Sequence, residues 1–465
     1  MAAGAQPAWW ARRPWLAAAL LYLPMAAIYA AHALSSYGGL VPTGFLQYDQ
    51  LSYMAMAREY FDPVPDGNAW LTYGLPFSAD YATPEVYFQP HTLLLGLLLE
   101  LSGAQPGWVY FLFGVVAGLI FLRLAVALYC RCLDQRRDSS GLGLLLFAWG
   151  GGLFAVAGLA TMVAENQWSP QVLFTHSERY DTWFLNLGRN LYYSVEAYYH
   201  CLTLGLLVAL IDRRFGLALL LLAVLSASHP FTGLQFLLAI ATWSLAERLL
   251  LRQPSPLPWW LPLGCAALLA LHLGYYMVLL PRLSAEHAWI AENWSRDWSF
   301  EPTGLLLAYG LVGALAAVSL VRDALGQPRR RLLLVLALVS LALANHDLLL
   351  TPRQPLHFTR GYIWIPLFLL GLPALLRLLG WLSRVNMRWV LGLALVLLLD
   401  NATWIAWQTR NNLVQASLST LLQSSEVRLL ERLSRPDLAG ALLVTAEPQL
   451  GYLATVFTPL RSWSS

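Results

Sequence analysis

The sequence predicts an all-α polytopic membrane protein, and three observations carry that prediction. Of its 465 residues, 58% are hydrophobic and 12% charged, with a mean hydropathy of +0.54; soluble domains carry about 25% charged residues. Apolar runs of about 20 residues, the length that crosses a bilayer, recur along the chain. All 29 basic residues are arginine, and most sit in short connections between those runs. This composition excludes an ordinary soluble enzyme, a disordered chain, a disulfide scaffold and a nucleic-acid binder. The absence of lysine excludes any mechanism that needs a Schiff base, a lysine general base or a Walker lysine.

Taken in order, the runs place eleven spans at 14–34, 108–129, 141–163, 190–211, 215–228, 231–250, 259–280, 303–321, 332–350, 362–379 and 389–407. The first is too long for a secretory signal core and lacks a small-residue cleavage site, so it reads as a retained anchor. A shorter stretch, His91 to Leu101, reads as a re-entrant or interfacial segment. With the N-terminus inside, 17 arginines fall on cytoplasmic edges, seven in outer loops and five in the C-terminal tail. The acidic residues are skewed the other way. Because arginine favours the cytoplasmic side, the expected orientation is N-in and C-out, in a multi-pass protein of the bacterial inner (plasma) membrane.

Residues 1–407 are thus expected to form the transmembrane domain, with a long first outer loop at 35–107. Residues 408–465 form an extracytoplasmic tail. Leu418, Leu421, Leu422, Val427, Leu430 and Leu433 give the tail an amphipathic helical pattern. The strand-like run Ala441 to Thr445 and the stretch Leu450 to Phe457 follow, the beginning of a small α/β unit. Cys130 and Cys132 lack histidines at zinc spacing, and Cys201 and Cys265 lie in apolar runs, so four free thiols are expected.

The strongest local signal lies in the first outer loop, Tyr48-Asp49-Gln50-Leu51-Ser52-Tyr53-Met54-Ala55-Met56-Ala57-Arg58-Glu59-Tyr60. Asp49 opens a helix whose Tyr53, Met56, Ala57 and Tyr60 share one face, as expected of a helix lying in the membrane interface. A carboxylate at its start can act as a general base on an acceptor hydroxyl; the competing reading is a helix N-cap.

The acidic residue, the tyrosine four positions on and the Ala-Arg-Glu beyond resemble the GT-C superfamily of polyprenyl-phosphate-sugar glycosyltransferases. The match is nearest the branch holding protein O-mannosyltransferases and lipid A aminoarabinose transferases. Asp49, Tyr53, Ala57, Arg58 and Glu59 fit the pattern, whereas Gln50 stands where the family usually has Glu. That departure leaves Asp49 as the single candidate base. Phe88-Gln89-Pro90-His91-Thr92-Leu93 resembles the family's proline motif in degraded form. The resemblance implies an inverting transferase at the outer face that takes sugar from a polyprenyl-phosphate donor. The acceptor, whether lipid, glycan or protein, is left open.

Such a donor needs a phosphate ligand, and without lysine it must be arginine, whose planar fork suits phosphate oxygens. Arg353, His357 and Arg360 stand together in Pro352-Arg353-Gln354-Pro355-Leu356-His357-Phe358-Thr359-Arg360, although a snorkelling interfacial arginine is the competing reading. His229, in His229-Pro230-Phe231-Thr232-Gly233, is a further candidate against phosphate or acceptor. Glu196 and His200 fall at i and i+4 inside a span, so they either pair with each other or line the substrate cavity with Tyr53, Arg58, Glu59 and His91. Glu178 and Asp181 offer a second acidic site of the kind that takes a divalent metal, set against ordinary solvated loop charges. Asn345-His346-Asp347 and Asp400-Asn401 read as solvated groups at outer span ends. The alternative function is a transporter or flippase for a lipid-linked substrate, with Glu196 and His200 as proton-coupled groups. An O-antigen ligase or polymerase would share the outer arginine and histidine chemistry but carry a large loop late in the chain.

Overall fold

Leucine- and alanine-rich runs bounded by proline at their first positions start and stop the helices of this chain. The computed structural model describes residues 8–35, 39–47, 49–61, 72–73, 85–133, 140–179, 185–249, 257–293, 301–322, 325–351, 353–414 and 419–464. Seven helices among these residues are long and apolar enough to cross a membrane. They are α1 (Pro14–Leu34), α4 (Pro106–Cys132), α8 (Ser194–Ile211), α11 (Trp260–Leu283), α13 (Pro302–Arg322), α15 (Trp364–Val385) and α16 (Met387–Val414). Between them lie α2 (Asp49–Glu59), α3 (Pro90–Ser102), α5 (Ser140–Trp149), α6 (Phe154–Ala164), α7 (Pro170–Arg179), α9 (Phe215–Ser228), α10 (Pro230–Leu249), α12 (Ala285–Asn293) and α14 (Pro328–Ala344). The tail adds α17 (Ser424–Leu433) and α18 (Pro448–Phe457).

The chain is a helical, multi-pass membrane protein, and every one of the eleven expected spans contains helix. Their lengths differ from expectation. The run at 141–163 is α5 and α6, bent by 74° at a break. The break falls at Gly150-Gly151-Gly152. Helices α9 and α14 have 14 and 17 residues, short of a full crossing. Helix α10 is long enough but buries Thr232, Gln235, Ser244 and Glu247. The stretch from His91 is the 13-residue α3, packed against α4 and α2. Helix α16 runs through to Val414, beyond the expected domain boundary at 407.

Helix α4 packs along α8, and α13 along α15, while α1 lies against α4 and α16. At one end of the bundle arginine-rich connections meet. Arg131 grips Asp212 at 2.7 and 2.5 Å, Arg329 donates to the Arg131 carbonyl, and Arg331 grips Glu247 at 2.5 and 2.9 Å. The four cysteines are free thiols.

At the opposite end the first loop and the tail are joined. Strand β1 (Val41–Pro42) pairs antiparallel with β2 (Leu421–Leu422), and Thr43 adds bonds from its N–H to the Thr420 carbonyl at 3.0 Å and from its hydroxyl to the Ser419 carbonyl at 2.8 Å. Leu421 and Leu422 are therefore strand rather than helix, and the amphipathic helix begins after them. This seam crosses α4 where Gly44 (φ +92°) and Gly107 meet: a Cβ on Gly107 would lie 1.7 Å from the Thr43 carbonyl oxygen. The tail then forms a β-α-β unit, β3 (Leu442–Thr445) and β4 (Arg461–Ser464) pairing in parallel around α18.

Candidate functional site

Helix α2 opens at Asp49, and the residues before it set the carboxylate. Gln47 accepts from the Asp49 N–H at 2.5 Å and donates through its Nε2 to Asp49 Oδ2 at 3.0 Å. Asp49 stays half-buried. Gln50, where the family pattern has Glu, is 1% exposed; its Oε1 accepts from the Leu46 N–H at 2.8 Å and its Nε2 donates to the Tyr192 carbonyl at 2.9 Å. A carboxylate has no proton for the second bond, so this position requires an amide and holds the loop rather than serving chemistry.

The buried face of α2 is Gln50, Leu51, Met54, Ala55 and Ala57, while Tyr53 and Met56 are half-buried. Of the expected stripe Tyr53, Met56, Ala57 and Tyr60, Ala57 and Tyr60 are buried and Tyr53 and Met56 half-buried, so the buried face is broader than that stripe. Helix α2 is held between α3 and the tail helix α18. Arg58 reaches the tail. Its guanidinium donates to the Thr455 carbonyl at 2.5 Å and to the Thr458 carbonyl, satisfying the open C-terminal end of α18. It is a strut to the tail, and it also lines a cavity with Phe61, Gly96, Phe457 and Thr458. Glu59 faces Tyr60 and Tyr73 electrostatically.

Tyrosines grip the start of α3. Tyr60 accepts from the Gln89 N–H at 3.1 Å, Tyr73 donates to Gln89 Oε1 at 2.9 Å, and Tyr275 accepts from the Phe88 N–H at 2.9 Å. Tyr275 belongs to a π-helical turn, Gly274–Leu279, inside α11, a distortion that often accompanies a functional region. The next residue, His91, is fully buried; its Nε2 lies 3.1 Å from the Tyr199 hydroxyl and its ring 5.6 Å from that of Tyr53.

Around this point the distant candidates converge. Tyr53 hydrogen-bonds Tyr199 and interacts electrostatically with both Asp49 and Arg360. Tyr193 interacts with the same two charges. Arg360, 5% exposed, feels Tyr53, Tyr362, Tyr193 and Asp49; burial disfavours its charge and these groups oppose part of that effect. One terminal nitrogen of Arg360 is ion-paired with Glu196 and the other donates to His357 Nδ1. Since arginine cannot accept, His357 must carry its proton on Nε2. Burial, with His229 alongside, holds His357 well below the ordinary imidazole range, which keeps it neutral. Its ring stacks on Phe231 at 4.4 Å and lies 5.5 Å from His229, whose ring in turn lies 4.8 Å from Tyr199. His229 Nδ1 accepts from the Thr232 N–H at 3.1 Å, so it also caps the turn into α10.

The structure thus brings together Asp49, Tyr53, His91, Glu196, His229, His357 and Arg360. Glu196 and His200 do not pair through their side chains: His200 Nδ1 donates to the Glu196 backbone carbonyl at 2.8 Å, and the carboxylate goes to Arg360. Arg353 remains exposed, its N–H donating to His346 Nε2 at 2.9 Å, so the two arginines of the motif differ in role. Asp181 lies outside the described residues, as does the side chain of Glu178 in α7. Among the described residues, no three His, Cys, Asp or Glu side chains are grouped to hold a metal ion.

A second buried polar cluster was not anticipated. Asp400 and Asn401, expected to be solvated, are 3% and 1% exposed. Arg189, 2% exposed, pairs with Asp400 at 3.1 Å, donates to Asn401 Oδ1 at 2.8 Å and lies 5.6 Å over Trp404. Asp400 also accepts from the Gly152 N–H at 3.2 Å, and Asn401 donates to the Trp149 and Gly150 carbonyls at 2.9 and 3.2 Å. The cluster satisfies the backbone freed where α5 breaks into α6. The signal in the sequence was three successive glycines in one apolar run and an Asp-Asn pair inside another, where ionisable groups are expensive.

No protein-family model matches the chain, and no curated protein matches it. Function is therefore read from the charges and hydrogen bonds at this end of the bundle.

Proposed function

We propose that the protein is an inverting membrane glycosyltransferase that moves a sugar from a polyprenyl-phosphate donor to an acceptor hydroxyl at the outer face of the bacterial plasma membrane. One observation carries the reading: a carboxylate, Asp49, and a buried guanidinium, Arg360, are coupled across Tyr53 although they are far apart in sequence. In this reading Asp49 takes the acceptor's hydroxyl proton as its oxygen attacks the anomeric carbon. The bond from that carbon to the donor phosphate oxygen breaks, and its electron pair leaves on the phosphate, whose charge Arg360 stabilises. His357 fixes the guanidinium, and Tyr53 and Tyr193 interact with both charges. Arg353, exposed beyond the cluster, is at most an outer guide for the donor. The convergence of arginine-rich connections at the other end of the bundle supports placing this end outside. The transporter alternative is left without its side-chain pair, because the Glu196 carboxylate is engaged by Arg360.

The test is incubation of the purified protein with radiolabelled polyprenyl-phosphate sugars and candidate acceptors. Acceptor-dependent release of polyprenyl phosphate is expected from the native protein and should be lost in Asp49→Asn, with lipid-donor binding retained. Full transfer by Asp49→Asn would remove the mechanism.

A further inference from the structure

Among the described residues, the fully buried carboxylates Asp400, Glu247 and Glu196 are of two kinds. Asp400 uses both oxygens, one on Arg189 and one on the Gly152 N–H. Glu247, 1% exposed, also uses both, one taken by Arg331 Nε and Trp243 Nε1 and the other by Arg331 Nη2. These are saturated structural pairs. Glu196 differs. Its Oε1 meets Arg360, but its Oε2 is buried with no hydrogen-bond partner among the described residues. Such a half-used buried carboxylate is costly and contributes little to a fixed architecture. Its guanidinium partner, by contrast, has a second hold on His357.

We infer that Glu196 is a displaceable counter-ion, occupying Arg360 until an anionic phosphate ester arrives and takes its place. The inference rests on the reading of Arg360 as the phosphate ligand and adds a competitor for that ligand. An Arg360 neutralised by Glu196 offers little attraction to a passing lipid headgroup, so the carboxylate sets the threshold for donor entry. The incoming phosphate brings two or more acceptor oxygens where Glu196 contributes a single carboxylate oxygen, and the planar fork favours the bidentate partner.

Equilibrium binding of undecaprenyl phosphate to the full chain in lipid nanodiscs tests this, with undecaprenol and inorganic phosphate as separate arms. Glu196→Gln should bind undecaprenyl phosphate about tenfold more tightly, a coupling of ordinary size for a close charge pair. Undecaprenol binding should not change, and inorganic phosphate should follow the lipid phosphate only if the headgroup alone suffices. Glu196→Asp, which draws the carboxylate back from Arg360, should shift affinity in the same direction and serves if Glu196→Gln fails to fold. In an Arg360→Gln background the Glu196→Gln gain should vanish. Unchanged or weaker binding by a folded Glu196→Gln, with Arg360→Gln still losing the lipid, overturns the displacement while leaving Arg360 as the phosphate ligand. Native binding by Arg360→Gln overturns that assignment and the inference with it.

Discussion

Replacing Asp400 by Ala removes the charge partner of Arg189 in a site where both side chains are 3% exposed or less. Breaking such a buried pair costs about 3–5 kcal/mol, because the remaining charge stays desolvated. The Gly152 N–H also loses its acceptor, adding about 1 kcal/mol. Against this, Arg189 keeps its bond to Asn401 Oδ1 and to the residue 400 carbonyl, so the total should remain near 3–5 kcal/mol. Asp400→Asn retains an acceptor for Gly152 and should cost about half as much. The apolar double replacement Arg189→Met with Asp400→Leu should recover most of the loss. Reversible unfolding in mixed micelles, followed by tryptophan fluorescence, measures these differences. A loss below about 1 kcal/mol in Asp400→Ala would refute the claim that this carboxylate balances Arg189 and anchors the break between α5 and α6.

Three further outcomes follow from the same geometry. Gln50→Glu deletes the donor to the Tyr192 carbonyl and buries a charge, so it should destabilise by about 2–3 kcal/mol in the same unfolding assay; a neutral effect would show the amide is not required. Gly107→Ala forces a methyl into the Thr43 carbonyl and should cost about 1–3 kcal/mol as overpacking, with faster protease cleavage at the loop-to-tail seam. The Arg131 guanidinium, hydrogen-bonded to Asp212, holds that carboxyl below its usual range; the pair's contribution is therefore present above about pH 4 and lost as pH falls further. Since both groups are partly exposed, Asp212→Asn should lower stability at neutral pH by less than about 1 kcal/mol, seen as a small drop in melting temperature, and the difference from wild type should close in acid.

The helical class was legible because hydropathy is a local property, and the arginine-rich connections marked one end of the bundle for the same reason. Candidate residues were legible where residue type alone is informative: Asp49 opening a helix, Arg360 before a span, and Glu196 and His200 within one. Their partners were not. Glu196 lies one helical turn from His200, so local spacing favoured that pair, yet its carboxylate reaches Arg360 in a segment 164 residues later. Likewise Gln50 read as a lost carboxylate, because the Tyr192 carbonyl that makes it an amide lies 142 residues away. Asp400 and Asn401 read as solvated although the expected span ran on to 407, because their partner Arg189 lies more than 200 residues earlier in the chain. Each miss has one cause: a polar group is explained by its partner, and partners come from elsewhere in the chain.

The seam between the first loop and the tail also bears on how the protein is made. Synthesis delivers Asp49 early, but the groups that hold its helix arrive in sequence: Tyr192 for Gln50, then Leu421 and Leu422 for β1, and last the Thr455 and Thr458 carbonyls for Arg58. A nascent chain therefore carries Asp49 on an unsecured helix until the segment that includes Thr455 and Thr458 has been made and docked. Helix α2 is thus a late-secured element, fixed by contacts that the chain supplies from three widely separated segments.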